Sequence, residues 1–268
     1  MKTSNGTGGS PSRVNGEGQK ATGSQAIDRA LSIIRCFGDG RAELGLSQIS
    51  EELNLNPSTT HRIARALVRR GFLTFGREAG AYRLGGIAAL VGEAARRHFG
   101  LERAIRVLED IADKHQDSVS LGVREGDVVG VLHRIESKRE LRFSQKPGSQ
   151  VMLHASAMGK AMLFGAPQLR AEIASLGRLS ALTEHTIVDP DVLAREISRS
   201  VERGYTVDNQ EQVIGVRCVG APIRDRKSVV RAAFAIQAPA ALLDERRIEE
   251  IGKQMSAYSN RLSEAMGF

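Results

Sequence analysis

LSQISEELNLNPSTTHRIARALVRR, residues 46–70, carries two short helical patterns that meet at a tight turn, and the second pattern ends heavily basic. Leu46, Ile49 and Leu53 recur at helical spacing, with Ser47 placed as the N-cap of a first short helix. Asn54-Leu55-Asn56-Pro57 then breaks and restarts the chain. Asn56 is suited to cap the second helix, and Pro57 fits its first turn, where no intrahelical N–H is needed. In that second helix Thr60, Ile63, Ala64 and Leu67 share one face. Ser58, Thr59, Arg62, Arg65 and Arg69 fall largely on the other, and no acidic residue occurs between Pro57 and Gly71. Small polar residues at the start and arginines further on predict a helix-turn-helix shaped to enter a DNA major groove. An ordinary solvated pair of helices is the alternative.

Upstream, residues 25–37 (QAIDRALSIIRCF) read as an amphipathic helix with Ile27, Ala30, Leu31, Ile34 and Phe37 as its stripe and Cys36 beside it. On the other side, Phe72–Phe75 and Ala81–Leu84 read as two strands around the turn Arg77-Glu78-Ala79-Gly80. Three helices followed by a hairpin make a winged helix-turn-helix, with Arg77 and Arg83 placed near a backbone phosphate or the minor groove. Residues 87–99 (IAALVGEAARRHF) form an alanine-rich helix that is apolar on more than one side. A linker helix of this kind wants a partner, most simply its own copy, so a dimer on a two-part site is expected.

The chain has 268 residues, 41% hydrophobic and 26% charged, an ordinary globular composition long enough for one large or two modest domains. Its net charge of +7 is unevenly placed. Residues 1–100 carry 14 Lys/Arg against 8 Asp/Glu, and residues 101–268 carry 24 against 23. The basic excess therefore lies with the groove-fitting helix, where release of counterions from DNA rewards it. No apolar run is long enough for a transmembrane helix, and the Gly/Ser/Asn-rich start lacks the apolar core of a signal peptide. Residues 1–24 are expected to be a disordered lead-in, and two cysteines are too few for a disulfide framework. The cytoplasm is the expected compartment, with no membrane partner.

From Leu101 the pattern changes to α+β. A helix is predicted over 101–115, strands over 118–123 and 128–135, and a third strand over Leu141–Ser144. Helices follow at 167–176 and 191–202, then strands at 216–223 and 229–236, and a long closing helix over about 243–266. A sheet flanked by helices on a unit of this size suits a sensor. The chain shows no GxSxG elbow, dinucleotide fingerprint, Walker loop or HExxH pair, and its histidines lack metal-ligand spacing. His154, Ser156 and Asp208 are the one imaginable triad, but a His and a Ser two apart on one segment seldom meet productively.

Four blocks, AIDRALSIIRCF (26–37), residues 46–75 running into YRLGG (82–86), PGSQVMLHASAMGKAMLF (147–164) and GYTVDNQEQVIGVRCVGAPIRD (204–225) followed by VVRAAFAIQAP (229–239), together resemble the IclR family of bacterial transcriptional regulators. The resemblance implies a winged helix-turn-helix (25–86), a linker helix (87–100) and a GAF-like domain (101–268) that binds an effector and oligomerises. It also implies a homodimer or dimer of dimers on double-stranded operator DNA, acting as repressor, activator or both, with a small-molecule effector and no cofactor or metal. By matching segments, Ser58, Thr59, Thr60, His61, Arg62 and Arg65 are recognition-helix positions, with Ser47, Asn56, Arg77 and Arg83 beside them. Arg62 is the leading contact, and His61 a phosphate contact or a plain surface residue.

The same resemblance places the effector pocket between the sheet and the segment after LHASAMGKA, lined or shaped by Leu153, Ser156, Ala157, Met158 and Gly159. Asp208, Glu211, Val216 and Cys218 follow from the block at 204–225, and Cys218 equally suits plain strand packing. Ser156 is placed to cap a helix whose first N–H groups suit a carboxylate or phosphate, and capping by itself explains it as well. Members of the family that sense small carboxylates tend to carry serines where this chain has Ala235 and Gln237, alternate positions on one strand face. Losing two hydroxyls leaves a buried carboxylate short of partners. An effector larger or less polar than glyoxylate or pyruvate is expected, aromatic or amide-bearing. A constitutive architectural DNA binder is the rival reading, set against a C-terminal region larger than dimerisation alone requires.

Overall fold

The computed structural model describes residues 22–38, 40–145 and 148–268. Helices α1 (Thr22–Arg35), α2 (Leu46–Glu52) and α3 (Pro57–Arg69) pack around Ile33, Phe37, Ile49, Ile63, Ala64 and Leu67. Most of the expected lead-in, residues 1–21, lies outside the described residues, and its last three residues, 22–24, already belong to α1. The buried stripe of α1 centres on Ile33, while Ile27 and Leu31, expected inward, are exposed. The wing consists of β2 (Leu73–Phe75) and β3 (Ala81–Leu84), and β3 also pairs with β1 (Leu44–Gly45), a two-residue strand the sequence pattern did not reveal.

The expected cap of α2 is corrected. Gly45 precedes the helix, and the Gln48 side chain accepts the Gly45 N–H at 2.8 Å, whereas Ser47 sits exposed in the first turn. At α3 the local chemistry is as read. Asn56 Oδ1 accepts from the Ser58 N–H at 2.9 Å, and Pro57 opens the helix, a cap worth about 1 kcal/mol. Helix α4 (Gly86–His98) buries none of its residues.

Beyond it, a six-stranded antiparallel sheet runs in the order β6-β5-β4-β9-β8-β7, made of β4 (Ser118–Glu125), β5 (Val128–Ile135), β6 (Gln150–Met152), β7 (Thr206–Asn209), β8 (Val216–Arg224) and β9 (Val230–Pro239). The third strand of this region is thus Gln150–Met152, and Leu141–Ser144, which alternates like a strand, joins no strand ladder and is irregular chain. On one face α5 (Leu101–His115) and α9 (Glu245–Met266) bury Leu108, Ile111, Ile251 and Met255 against Val119, Val219, Phe234 and Ile236. The opposite face meets α6 (Ala157–Met162), α7 (Leu169–Ser175) and α8 (Pro190–Arg203), with Met158, Ile173, Leu193 and Ile197 over Val129, Val131, Cys218, Ala233 and Ala235.

Two glycines let α6 lie close to the strands. A Cβ on Gly220 would sit 2.8 Å from the Ala157 backbone, and one on Gly159 would sit 2.4 Å from Leu153 O. Asp189, accepting from Asp191 N and Val192 N, and Pro190 start α8, and left-handed Gly204 ends it.

A β-bulge re-phases β5. Leu121 pairs with His133 and Gly122 with Val131, so Leu132 is the extra residue and the facing of the strand changes there. Val129 and Val131 point to the α6 face, and after the bulge Arg134, opposite Ser120, points to that face too.

Candidate functional site

The outer face of α3 presents Ser58, His61, Arg62, Arg65 and Arg69 to solvent, and Thr59 is half-buried. Thr60 is fully buried, with its hydroxyl directed at Asn56 O at 3.3 Å, so the expectation that it touches DNA is corrected: it belongs to the inner face of the helix. The Asn56 side chain is engaged in capping, where it also accepts the Ser58 hydroxyl at 2.7 Å. The Arg65 guanidinium lies 5.7 Å from the centre of the Phe75 ring, which joins α3 to the wing. At the wing tip the Glu43 carboxylate accepts the Arg77 N–H at 2.9 Å, fixing the turn and leaving the Arg77 side chain exposed, as Arg83 is. The arrangement offers a basic ridge with flanking cations, the geometry that reads a groove and grips phosphates.

In the second region a cavity of about 190 Å³ lies between the sheet and α6. Ser156, Ala157, Met158, Asp208, Val216, Cys218, Ala235 and Gln237, all expected from the sequence, line it. Phe143, Gln145, Gln150, Val151, Gln212 and Val213 complete the wall. Three expected residues lie outside the lining. Leu153 is fully buried in the core beneath α6, Gly159 packs on the Leu153 backbone, and Glu211 is paired with Lys160. The volume is below the roughly 300–1,000 Å³ typical of drug-sized ligands, so it suits a small metabolite. A larger groove of about 730 Å³ between α7 and α8, around Gln168, Arg170, Arg195 and Arg199, is open to solvent. The enclosed cavity is the better site because its polar groups are buried and converge.

One end of the cavity is acidic. Asp208 Oδ1 accepts the N–H groups of Glu211 and Gln212 at 2.7 and 3.3 Å, and its Oδ2 faces the Cys218 thiol at 3.7 Å. Burial, reinforced by the Glu211 carboxylate, pushes Asp208 up to about 7. Behind it Lys160, wholly buried, donates to Glu211 Oε1 at 2.6 Å, and burial also raises Glu211. Burial first, then the neighbouring Asp208, pushes the Cys218 thiol well above its ordinary value, so it stays protonated and is a poor nucleophile. Ser156 caps α6: its hydroxyl accepts from Gly159 N at 3.0 Å and donates to Met152 O at 2.8 Å. His154 Nε2 lies 3.0 Å from Ser180 O, so His154, Ser156 and Asp208 are engaged separately.

The other end is cationic and was not legible beforehand. The Arg134 guanidinium, with its side chain 1% exposed, donates to Ser120 Oγ at 2.9 Å, to Gln237 Oε1 and to the Phe143 carbonyl. Strict alternation from Val129 and Val131 sends residue 134 to the opposite face, and only the bulge brings it here. A surface contact chain also leaves the cavity wall. Gln150, in its wall, donates to Glu125 Oε2 at 2.9 Å, and Arg35 of α1 pairs with the same oxygen at 3.0 Å. Gly148 lies against the backbone of Gly38 beside this bridge. Among the described residues no helix is long and apolar enough to cross a membrane.

Comparison with known proteins agrees with both regions. The family described as bacterial transcriptional regulator IclR, C-terminal, matches residues 96–264, and the IclR helix-turn-helix domain matches residues 26–77. The chain is 31% identical to the HTH-type transcriptional regulator BhcR of Paracoccus denitrificans, over 95% of this chain and 92% of that protein. The crystal structure of the Thermotoga maritima IclR superposes with a TM-score of 0.68 at 26% identity, covering 91% of this chain and 100% of that one. An IclR homologue from Microbacterium hydrocarbonoxydans, solved in complex with 4-hydroxybenzoate, shares the fold with a TM-score of 0.71 at 21% identity, covering 90% and 99%. With a DNA-reading α3, a wing and an effector-binding α+β domain in one polypeptide, the chain belongs to the IclR family of bacterial transcriptional regulators.

Proposed function

We propose that the protein binds operator DNA through Ser58, His61, Arg62, Arg65, Arg77 and Arg83, and that a small metabolite in the cavity between the sheet and α6 alters this binding. The enclosed cavity, with buried polar groups at both ends, is the observation that carries the effector half of the reading. Ala235 and Gln237, where serines serve family members that sense short acids, leave a wall rich in apolar side chains such as Phe143, Val151 and Met158. That wall favours an aromatic or amide-bearing effector over a short 2-oxoacid. The 4-hydroxybenzoate complex of the Microbacterium hydrocarbonoxydans homologue supports a ligand of this size in the same fold.

The protein acts as a homodimer or dimer of dimers in the cytoplasm, as a regulator rather than an enzyme, and needs no cofactor. Ile27 and Leu31 on α1 and Ile87, Leu90 and Val91 on α4 are exposed apolar residues that a second copy would cover. The linker helices transmit the signal, and the Gln150–Glu125–Arg35 chain supports a second route from the cavity to α1. Titration calorimetry with glyoxylate, pyruvate and substituted benzoates tests the effector class: tight binding of a short 2-oxoacid refutes it. DNA retardation with and without the bound compound tests regulation, and a retardation indifferent to it points to a constitutive binder.

A further inference from the structure

Every acceptor that Arg134 meets is neutral: a serine hydroxyl, an amide oxygen and a backbone carbonyl. The nearest carboxylate oxygen, on Glu136, is 4.0 Å from Nε, beyond hydrogen-bond reach, and that side chain is 44% exposed. It also serves the Ser144 hydroxyl at 2.8 Å and Arg142 at 3.5 Å. Arg134 Nε itself is buried without a hydrogen-bond partner among the described residues, as is Gln145 Oε1 in the cavity wall. A guanidinium cannot shed its charge, so a cation lies behind this end of the cavity with no buried counterion among the described residues.

The same contacts fix the orientation of Gln237. Its Oε1 receives the Arg134 guanidinium and the Ser120 hydroxyl at 3.2 Å. Only an oxygen can accept from two such donors, so the amide cannot turn over, and its NH₂ group is directed away from Arg134. Gln237 is part of the cavity wall. The amide therefore relays the polarity of the guanidinium, presenting two N–H donors where a free glutamine side chain would offer either a donor or an acceptor. At the far end Asp208, with Glu211 and Lys160 behind it, disfavours an anion and so gives the ligand a direction.

We propose that Arg134 is a positioning residue that locks Gln237 as a hydrogen-bond donor, and that the effector presents an anionic oxygen, a carboxylate, to this end of the cavity. The proposal rests on the cavity being the effector site. The probes are matched pairs that differ only in charge, acetate with acetamide and benzoate with benzamide, titrated into the full chain at constant ionic strength by thermal shift and calorimetry. A hydrogen bond to a charged acceptor outweighs one to a neutral acceptor enough for roughly a tenfold preference for each carboxylate.

Arg134→Met should abolish that preference, and Gln237→Glu provides a variant built to fold. It places a carboxylate against the guanidinium, removes both amide donors and should leave the melting temperature of the free protein equal or higher while removing the preference for carboxylates. Amides that bind as tightly as their acids, carboxylates that do not bind at all, or a preference that survives in Gln237→Glu would each overturn the proposal. If the carboxylates fail while neutral metabolites still stabilise the protein, the cavity remains the effector site and only the charge assignment falls. If no compound stabilises it, the cavity reading falls as well.

Discussion

Replacing Asp208 with Asn isolates the electrostatic state of the acidic end of the cavity. Burial and the Glu211 carboxylate raise Asp208 from 3.8 to about 7 in the folded chain, whereas in the unfolded chain it titrates as an ordinary aspartate. Between those values the folded state holds a proton that the unfolded state has lost, so stability falls as pH rises through that window. Below about pH 4 both states are protonated and the group contributes nothing; above about pH 7 the full penalty is present. The rise corresponds to roughly 4 kcal/mol, and near-complete burial leaves little solvent screening to reduce it.

Asparagine keeps an oxygen for the N–H groups of Glu211 and Gln212 and carries no charge at any pH. Loss of the Asp208 charge also eases ionisation of Glu211, in the same direction. The stability of Asp208→Asn relative to the parent should therefore climb by about 4 kcal/mol between pH 4 and pH 8. Urea denaturation followed by circular dichroism at several pH values reads this directly. A difference between the two proteins that stays flat across the range would refute the argument.

Lys160→Met strands Glu211 in the interior and should destabilise the chain by roughly 3–5 kcal/mol, while Lys160→Met with Glu211→Leu should recover most of that loss; equal, additive losses in denaturation would show the pair is not coupled. Arg62→Ala should weaken operator binding by about 1–3 kcal/mol in an anisotropy titration and leave effector binding intact; unchanged affinity removes Arg62 from the interface. Glu125→Arg breaks the half-exposed bridge to Arg35 with a change in stability under about 1 kcal/mol, yet should diminish the effect of effector on operator affinity, which the charge swap Arg35→Glu with Glu125→Arg restores. Coupling that is the same in all three proteins would leave the linker helix as the sole route.

Much of the DNA-binding half was legible because its signals are local. Asn56-Pro57 marks a helix start by its own chemistry, and the spacing of Ile63, Ala64 and Leu67 separates the inner face from the arginines. The same wheel placed Thr60 inward, and treating it also as a DNA contact set a motif position above the geometry. In the effector domain the long elements α5, α8 and α9 follow their periodicity. The short strand Thr206–Asn209 is held by pairing with β8 and has too few apolar residues to announce itself.

Leu141–Ser144 shows the converse, since alternation without an edge to pair with makes no strand. Arg134 was hidden by a change of phase that needs the partner strand to be seen. The pairing of Lys160 with Glu211 joins residues 51 apart in sequence, and no local pattern contains it.

The extra residue in β5 also bears on how the chain tolerates changes of length. With Leu132 out of the ladder, losing one residue there would leave Val131 opposite Gly122 and His133 opposite Leu121, as they are now. Gaining one would turn the root of the strand over, carrying Ile135 toward the cavity face and the guanidinium into the packing beneath α5. The hairpin thus has slack in one direction only, and shortening is the length change that keeps Arg134 facing Ser120.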